Sequence, residues 1–185
     1  MTSFLRLIPR LRDAQVEFVI IGGVAAIFHG AERATMDLDI AAPMGLENLQ
    51  RLINALSDIH PRLRMRPDLP VVTADKHYLK GIKNLYLMTD VGQLDVLGMV
   101  EGVGDYDAVA RQAVDADLGE GIGTCKVIDL DGLITAKRSA GRPKDMPTVF
   151  ELEALRKRLR GGSPPPAAPK SPKTLDSDQS PDRHA

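Results

Sequence analysis

Between Phe18 and Asp39 the chain passes from an apolar run, through a Gly-Gly pair, to two aspartates separated by one residue. The run Phe18-Val19-Ile20-Ile21 predicts a short buried strand, and Gly22-Gly23 breaks it where a helix beginning near Val24 would present its N-terminus. Backbone N–H groups without intrahelical partners favour an anion there, and the glycines let a phosphate approach the main chain. Asp37 and Asp39 flank Leu38, with Ile40 beyond, so a strand's period of two puts both carboxylates on one face. Like charges on a half-buried face repel, and they need a cation, a hydrogen-bond network or open water between them. An oxygen-seeking divalent ion such as magnesium is the natural candidate.

The rest of the chain limits what can surround this segment. At 185 residues there is room for one domain with a full core and a tail. The formal charge of -1, from 24 basic and 25 acidic side chains, gives no global field toward nucleic acid or anionic membrane. Cys125 is the only cysteine, so an intrachain disulfide is excluded and no cysteine-based zinc motif exists; a reducing cytoplasm is expected. Arg6, Pro9, Arg10 and Arg12 interrupt the N-terminal apolar residues before a signal-peptide core forms, and the run from Phe18 to Phe28 is too short to cross a bilayer.

Periodicity predicts a short or kinked helix over Phe4 to Leu11, then strand Phe18 to Ile21, helix Val24 to Phe28, strand Leu38 to Ala41 and a helix carrying Leu46, Leu49, Leu52, Ile53 and Leu56. Pro61, Pro67 and Pro70 mark an irregular stretch. Asn84 to Met88 and Gln93 to Met99 read as a β-hairpin about Thr89-Asp90-Val91-Gly92. A weak helix over Tyr106 to Val114 and a strand over Cys125 to Ile128 follow. Asp129 is a candidate N-cap for a helix through Ala140, ended by Gly141. Thr148 and Glu151 match a capping box that would open the last helix. The order implies an α/β (α+β) domain over 1–160, a mixed β-sheet flanked by helices with C-terminal helices. Residues 161–185, rich in proline and serine, form a tail expected to be disordered.

A third carboxylate joins the first two. In Gln93-Leu94-Asp95-Val96-Leu97, Leu94 and Val96 take one face and Asp95 the other, in a strand able to pair beside the one holding Asp37 and Asp39. A cluster of that kind can hold two magnesium ions, which bind a triphosphate and lower the pKa of an attacking hydroxyl. Gly22-Gly23, Asp37-x-Asp39 and Asp95 together resemble the DNA polymerase beta-type nucleotidyltransferase superfamily. More narrowly, the chain is similar to small bacterial nucleotidyltransferases of the abortive-infection and toxin-antitoxin type. The resemblance spans about Val16 to Leu159. It implies NTP as substrate with Mg²⁺ or Mn²⁺, and transfer of a nucleoside monophosphate to a hydroxyl on RNA, protein or a small molecule. It implies Asp37, Asp39 and Asp95 as metal-binding catalytic carboxylates, and Gly22 and Gly23 as the phosphate cradle. Many members carry serine where Gly23 stands, so phosphate binding here must rely on the backbone and on other side chains.

Basic residues form a second tier. On the predicted helix after Asp129, Leu130, Leu133 and Ile134 define the apolar stripe and Lys137 falls on it. An inward lysine needs a partner, either a triphosphate or an acid at the core edge. Arg142 and Lys144 would contact phosphates or simply lie in a solvated loop. Arg33 and Thr35 stand between cradle and aspartates, where a nucleotide contact and plain loop polarity explain them equally well. His29 reads as a capping or core residue, and Gly102-x-Gly104 and Gly121-x-Gly123 as turns. Beside the transferase stands another reading, an antitoxin-like binding protein that keeps the fold with little or no turnover. A toxin or antitoxin partner protein is then expected.

Overall fold

A computed structural model describes residues 4–32 and 35–161. Arg33 and the proline-rich tail beyond 161 lie outside the described residues. Helix α1, Phe4–Asp13, is anchored by Leu7, Ile8 and Leu11, all fully buried. Pro9 lies inside it and cannot donate to the carbonyl one turn back, yet the helix continues because its apolar stripe is sealed into the core. Strand β1, Val19–Ile21, runs directly into α2, Gly22–Phe28, and β2 spans Leu38–Ala41. Helix α3, Leu46–Leu56, follows, burying Leu49, Leu52, Ile53 and Leu56 on one side.

The proline-punctuated stretch holds more order than its sequence predicts. It contains the short strand β3, Arg62–Leu63, and after it the four-residue helix α4, Lys76–Leu79. The hairpin is formed by β4, Asn84–Thr89, and β5, Gly92–Leu97. Its turn is tied by Thr89, whose hydroxyl accepts from the N–H groups of Val91 and Gly92 and donates to the Gly92 carbonyl. A small separate ribbon pairs β6, Met99–Val100, with β7, Gly104–Asp105, and leads into α5, Tyr106–Arg111.

Two sequence expectations fail beyond this point. The helix expected through Val114 ends at Arg111, and Ala113–Asp117 forms strand β8, antiparallel to β9, Thr124–Ile128. Only Ala116 of β8 is buried, and its aspartates face outward, one of them paired with Lys126 across the ladder; an edge strand of that kind lacks the apolar alternation that marks strands. The capping box also fails. After α6, Leu130–Ala140, a 3-10 turn Pro143–Asp145 runs straight into α7, Met146–Arg160, so Thr148 lies inside the helix and is buried. Glu151 instead accepts the backbone N–H of Glu32 at 2.8 Å. The other cap holds: Asp129 accepts from the N–H of Gly132, and Gly141 closes α6 in the left-handed region.

The strands form a seven-stranded mixed sheet in the order β3-β4-β5-β2-β1-β9-β8. β2 and β5 are parallel, as are β1 and β9, while the other neighbours are antiparallel. Leu38 and Ile40 of β2 and Leu94 and Val96 of β5 are completely buried on one face. The polar residues that alternate with them therefore project together from the opposite face.

Candidate active site

The parallel ladder of β2 and β5 sets Asp39 opposite Asp95 in register. Asp37 lies at the entrance to β2, one strand period before Asp39, and all three aspartates line a polar cavity of about 340 Å³. Separate elements thus bring the three to one cavity. They do not lie as a ready cage: among the described residues no group of three His, Cys, Asp or Glu side chains stands close enough to hold a metal ion.

The Gly-Gly pair is required by what packs on it. Gly22 has φ of +64°, and a Cβ there would lie 2.0 Å from Asp39 Oδ2. A Cβ on Gly23 would lie 2.5 Å from the Thr35 hydroxyl oxygen. The Gly23 N–H bonds the Asp39 carboxylate, so the first anion that the start of α2 receives is the protein's own. Thr35 thereby fills the space that a side chain at 23 would enter, and its hydroxyl donates to the Asp37 carbonyl at 3.3 Å. Of the residues named as nucleotide contacts, Gly22, Gly23, Thr35 and Lys137 line the cavity.

Burial, followed by the charge of Asp95, pushes the Asp39 carboxyl up to about 6, against the Gly23 N–H and the Lys137 charge, which pull it down. Burial also raises Asp95, and its Arg64 partner only partly offsets this. Arg64 has no counterpart in the sequence reading. Its Nη2 donates to Asp95 Oδ2 at 3.0 Å and its Nη1 to Gln93 Oε1 at 3.0 Å. Nη1 also lies 2.9 Å from Asp95 Oδ1, which nevertheless is buried without accepting a hydrogen bond. Its position next to β3 sets the contact: its N–H donates to the Tyr86 carbonyl, and Tyr86 pairs with Asp95.

On the other wall, Lys137 is 8% exposed and donates to Asp145 Oδ1 at 3.2 Å, while Arg142 Nε donates to Oδ2 at 2.7 Å. The inward lysine thus has an acid as its partner. Burial works against the Asp145 charge, but Lys137 and Arg142 outweigh it and hold the carboxyl below its ordinary range. Asp145 stands at the N-terminus of α7 without capping it, because both its oxygens serve these cations. Lys144 lines the same cavity. His29 has a packing role: its Nε2 meets the Ile128 carbonyl at 2.8 Å, joining the end of α2 to β9, and burial lowers its pKa.

The seven-stranded mixed sheet flanked by helices is consistent with a nucleotidyltransferase-like fold. Among solved structures, the solution structure of the antibiotic-resistance factor ANT(2'')-Ia is similar with a TM-score of 0.50 at 14% identity, over 86% of this chain and 92% of that one. A crystal structure of a candidate nucleotidyltransferase from Thermotoga maritima aligns with a TM-score of 0.46 at 15% identity, over 84% of this chain and 89% of that one. No protein-family model matches the chain, and no curated protein does. Among the described residues no helix is long and apolar enough to cross a membrane.

Proposed function

We propose that this chain is a metal-dependent nucleotidyltransferase that moves a nucleoside monophosphate from an NTP to a hydroxyl, releasing pyrophosphate. The observation that carries this reading is the β2–β5 register, which opposes Asp39 and Asp95 on the open face of the sheet beside Gly22 and Gly23. The donor set suits Mg²⁺ or Mn²⁺: hard carboxylate oxygens, one of them the buried Asp95 Oδ1, which accepts no hydrogen bond although Arg64 Nη1 lies 2.9 Å away. Asp37, Asp39 and Asp95 would hold the metal, which would neutralise charge on the triphosphate and acidify the attacking hydroxyl. The chain's own residues do the rest. Lys137, Arg142 and Lys144 present positive charge to the phosphates from the opposite wall, and Thr35 presents a hydroxyl beside the cradle. Asp95, held above the usual carboxylate range, is suited to accept the acceptor's proton.

Incubating the protein with each labelled NTP, Mg²⁺ or Mn²⁺ and cell extract should yield a labelled product that Asp37→Ala abolishes. Absence of transfer from every nucleotide would sink the reading. The same fold also suits an antitoxin in a toxin-antitoxin or phage-defence pair, with little or no turnover. What favours this second reading is that Arg64 already engages Asp95, and Lys137 and Arg142 already engage Asp145. A folded triple alanine variant at Asp37, Asp39 and Asp95 would then still neutralise its partner; loss of neutralisation would count against it.

A further inference from the structure

We propose that Arg64 is a latch on Asp95 that makes metal entry depend on nucleotide, an inference that rests on the transferase reading above. The contact is built by the sheet. Arg64 continues the line of β3, its N–H is fixed to the Tyr86 carbonyl at 2.8 Å, and Tyr86 is the register partner of Asp95. Its guanidinium therefore reaches across β4, 5.4 Å from the centre of the Tyr86 ring, to Asp95 on β5. Gln93, two residues before Asp95 on the same strand face, steadies it through Nη1. This single contact thus reaches from the end of β3 across β4 to β5.

The guanidinium stands at both oxygens through which Asp95 would ligate a metal. It bonds Oδ2 and stands beside Oδ1 without satisfying it, so the carboxylate is shielded by positive charge but only half bonded. A divalent ion brought to the same oxygens would sit against that charge, and cation–cation repulsion at a few ångströms inside a protein is strong. Arg64 must move away for Asp95 to ligate fully. It has somewhere to go, because it lines the same polar cavity as Lys137, Arg142 and Lys144. A triphosphate there offers the paired oxygens that the planar guanidinium binds with two parallel N–H groups. Nucleotide draws Arg64 off Asp95, the freed carboxylate accepts metal, and by linkage each ligand strengthens the other.

The test is a Mn²⁺ titration followed by electron paramagnetic resonance, with and without a non-hydrolysable NTP analogue, on wild type, Arg64→Gln, Gln93→Ala and Arg64→Gln/Asp95→Asn. Without nucleotide, Arg64→Gln should bind Mn²⁺ on the order of tenfold more tightly than wild type, the scale of losing a charge-assisted bond. The analogue should then strengthen Mn²⁺ binding far less in Arg64→Gln than in wild type. Gln93→Ala should shift binding the same way by a smaller factor, and Asp95→Asn should erase the gain. Equal or weaker nucleotide-free binding in Arg64→Gln overturns the latch while leaving the transferase reading intact. If Arg64→Gln does not fold, unchanged binding in Gln93→Ala overturns it. Absence of Mn²⁺ binding in wild type, even with the analogue, removes both readings.

Discussion

Two acidic groups share one cavity and are treated in opposite ways. Asp145 has a cation on each oxygen, Lys137 at 3.2 Å and Arg142 at 2.7 Å, and its carboxyl is held low. Asp39 has another carboxylate opposite it on the next strand, and its carboxyl is pushed up to about 6. The Asp145 cluster sets two cations on one carboxylate and joins α6 to the start of α7, leaving a surplus of positive charge. The Asp39–Asp95 pair is held together by the β2–β5 ladder despite repulsion. Burying Leu38, Ile40, Leu94 and Val96 beneath it contributes roughly 6–12 kcal/mol at about 1.5–3 kcal/mol per side chain, which exceeds the cost of crowding two carboxylates. A region held by its ladder and its apolar underside, with negative charge left over, is suited to receiving a cation. One with two cations on a single carboxylate is suited to an anion instead.

The comparison breaks if removing either acid has the same effect. Asp145→Ala should give the largest change, because it leaves Lys137 buried without a partner; unfolding in urea should show a loss of about 3–5 kcal/mol. Asp39→Asn should go the other way. A carboxyl whose folded pKa is raised from 3.8 to about 6 destabilises the fold above that range by up to about 3 kcal/mol. The folded state binds the extra proton, so wild-type stability falls as pH rises from about 4 to about 6. Asp39→Asn should therefore be more stable than wild type at pH 7, and the gap should close toward pH 4. Urea titrations at several pH values check this, and a constant gap would refute it.

How much of this was legible beforehand follows the same divide. β2, α3 and α6, and with them Asp39, Lys137 and the Asp129 cap, are local: periodicity and cap chemistry within a dozen residues specify them, and they fall at or within a residue of where the sequence puts them. Asp95 was legible because its strand alternates cleanly. Arg64 was not, because its importance comes from β3 pairing with β4, a two-residue contact hidden among prolines. Asp145 was hidden for a related reason. Its role depends on Lys137 eight residues earlier turning inward to meet it, and the local pattern instead suggested a cap at Thr148. β8 was lost because an edge strand with one buried side chain carries almost no apolar signal.

Gly23→Ala probes the border between the two regions and should have an intermediate effect. A methyl group there would begin 2.5 Å from the Thr35 hydroxyl oxygen, and Gly23 lies in α2, where alanine is otherwise the better helix former. Thr35 would have to move, at a cost of about 1–2 kcal/mol from overpacking less the helix gain. Gly23→Ala/Thr35→Ala should recover most of that loss, and the same pair of melting curves would show no recovery if the clash lies elsewhere.

The smallest effect is expected where compensation is most exposed. Arg142 approaches Asp145 from solvent, with 59% of its side chain accessible, and Lys137 remains on the other oxygen when it is removed. Arg142→Ala should therefore cost at most about 1 kcal/mol in urea unfolding. Arg142 and Lys137 hold the same carboxylate but differ in what remains when each is lost. Without Lys137, Asp145 keeps a cation that solvent already screens; without Arg142, it keeps one that solvent barely reaches. The double variant Arg142→Ala/Asp145→Ala should thus unfold within a few tenths of a kcal/mol of Asp145→Ala alone, since Arg142 has lost its partner in both. A loss for Arg142→Ala as large as that for Asp145→Ala would mean that the exposed arginine, not the buried lysine, closes the scaffold around the site.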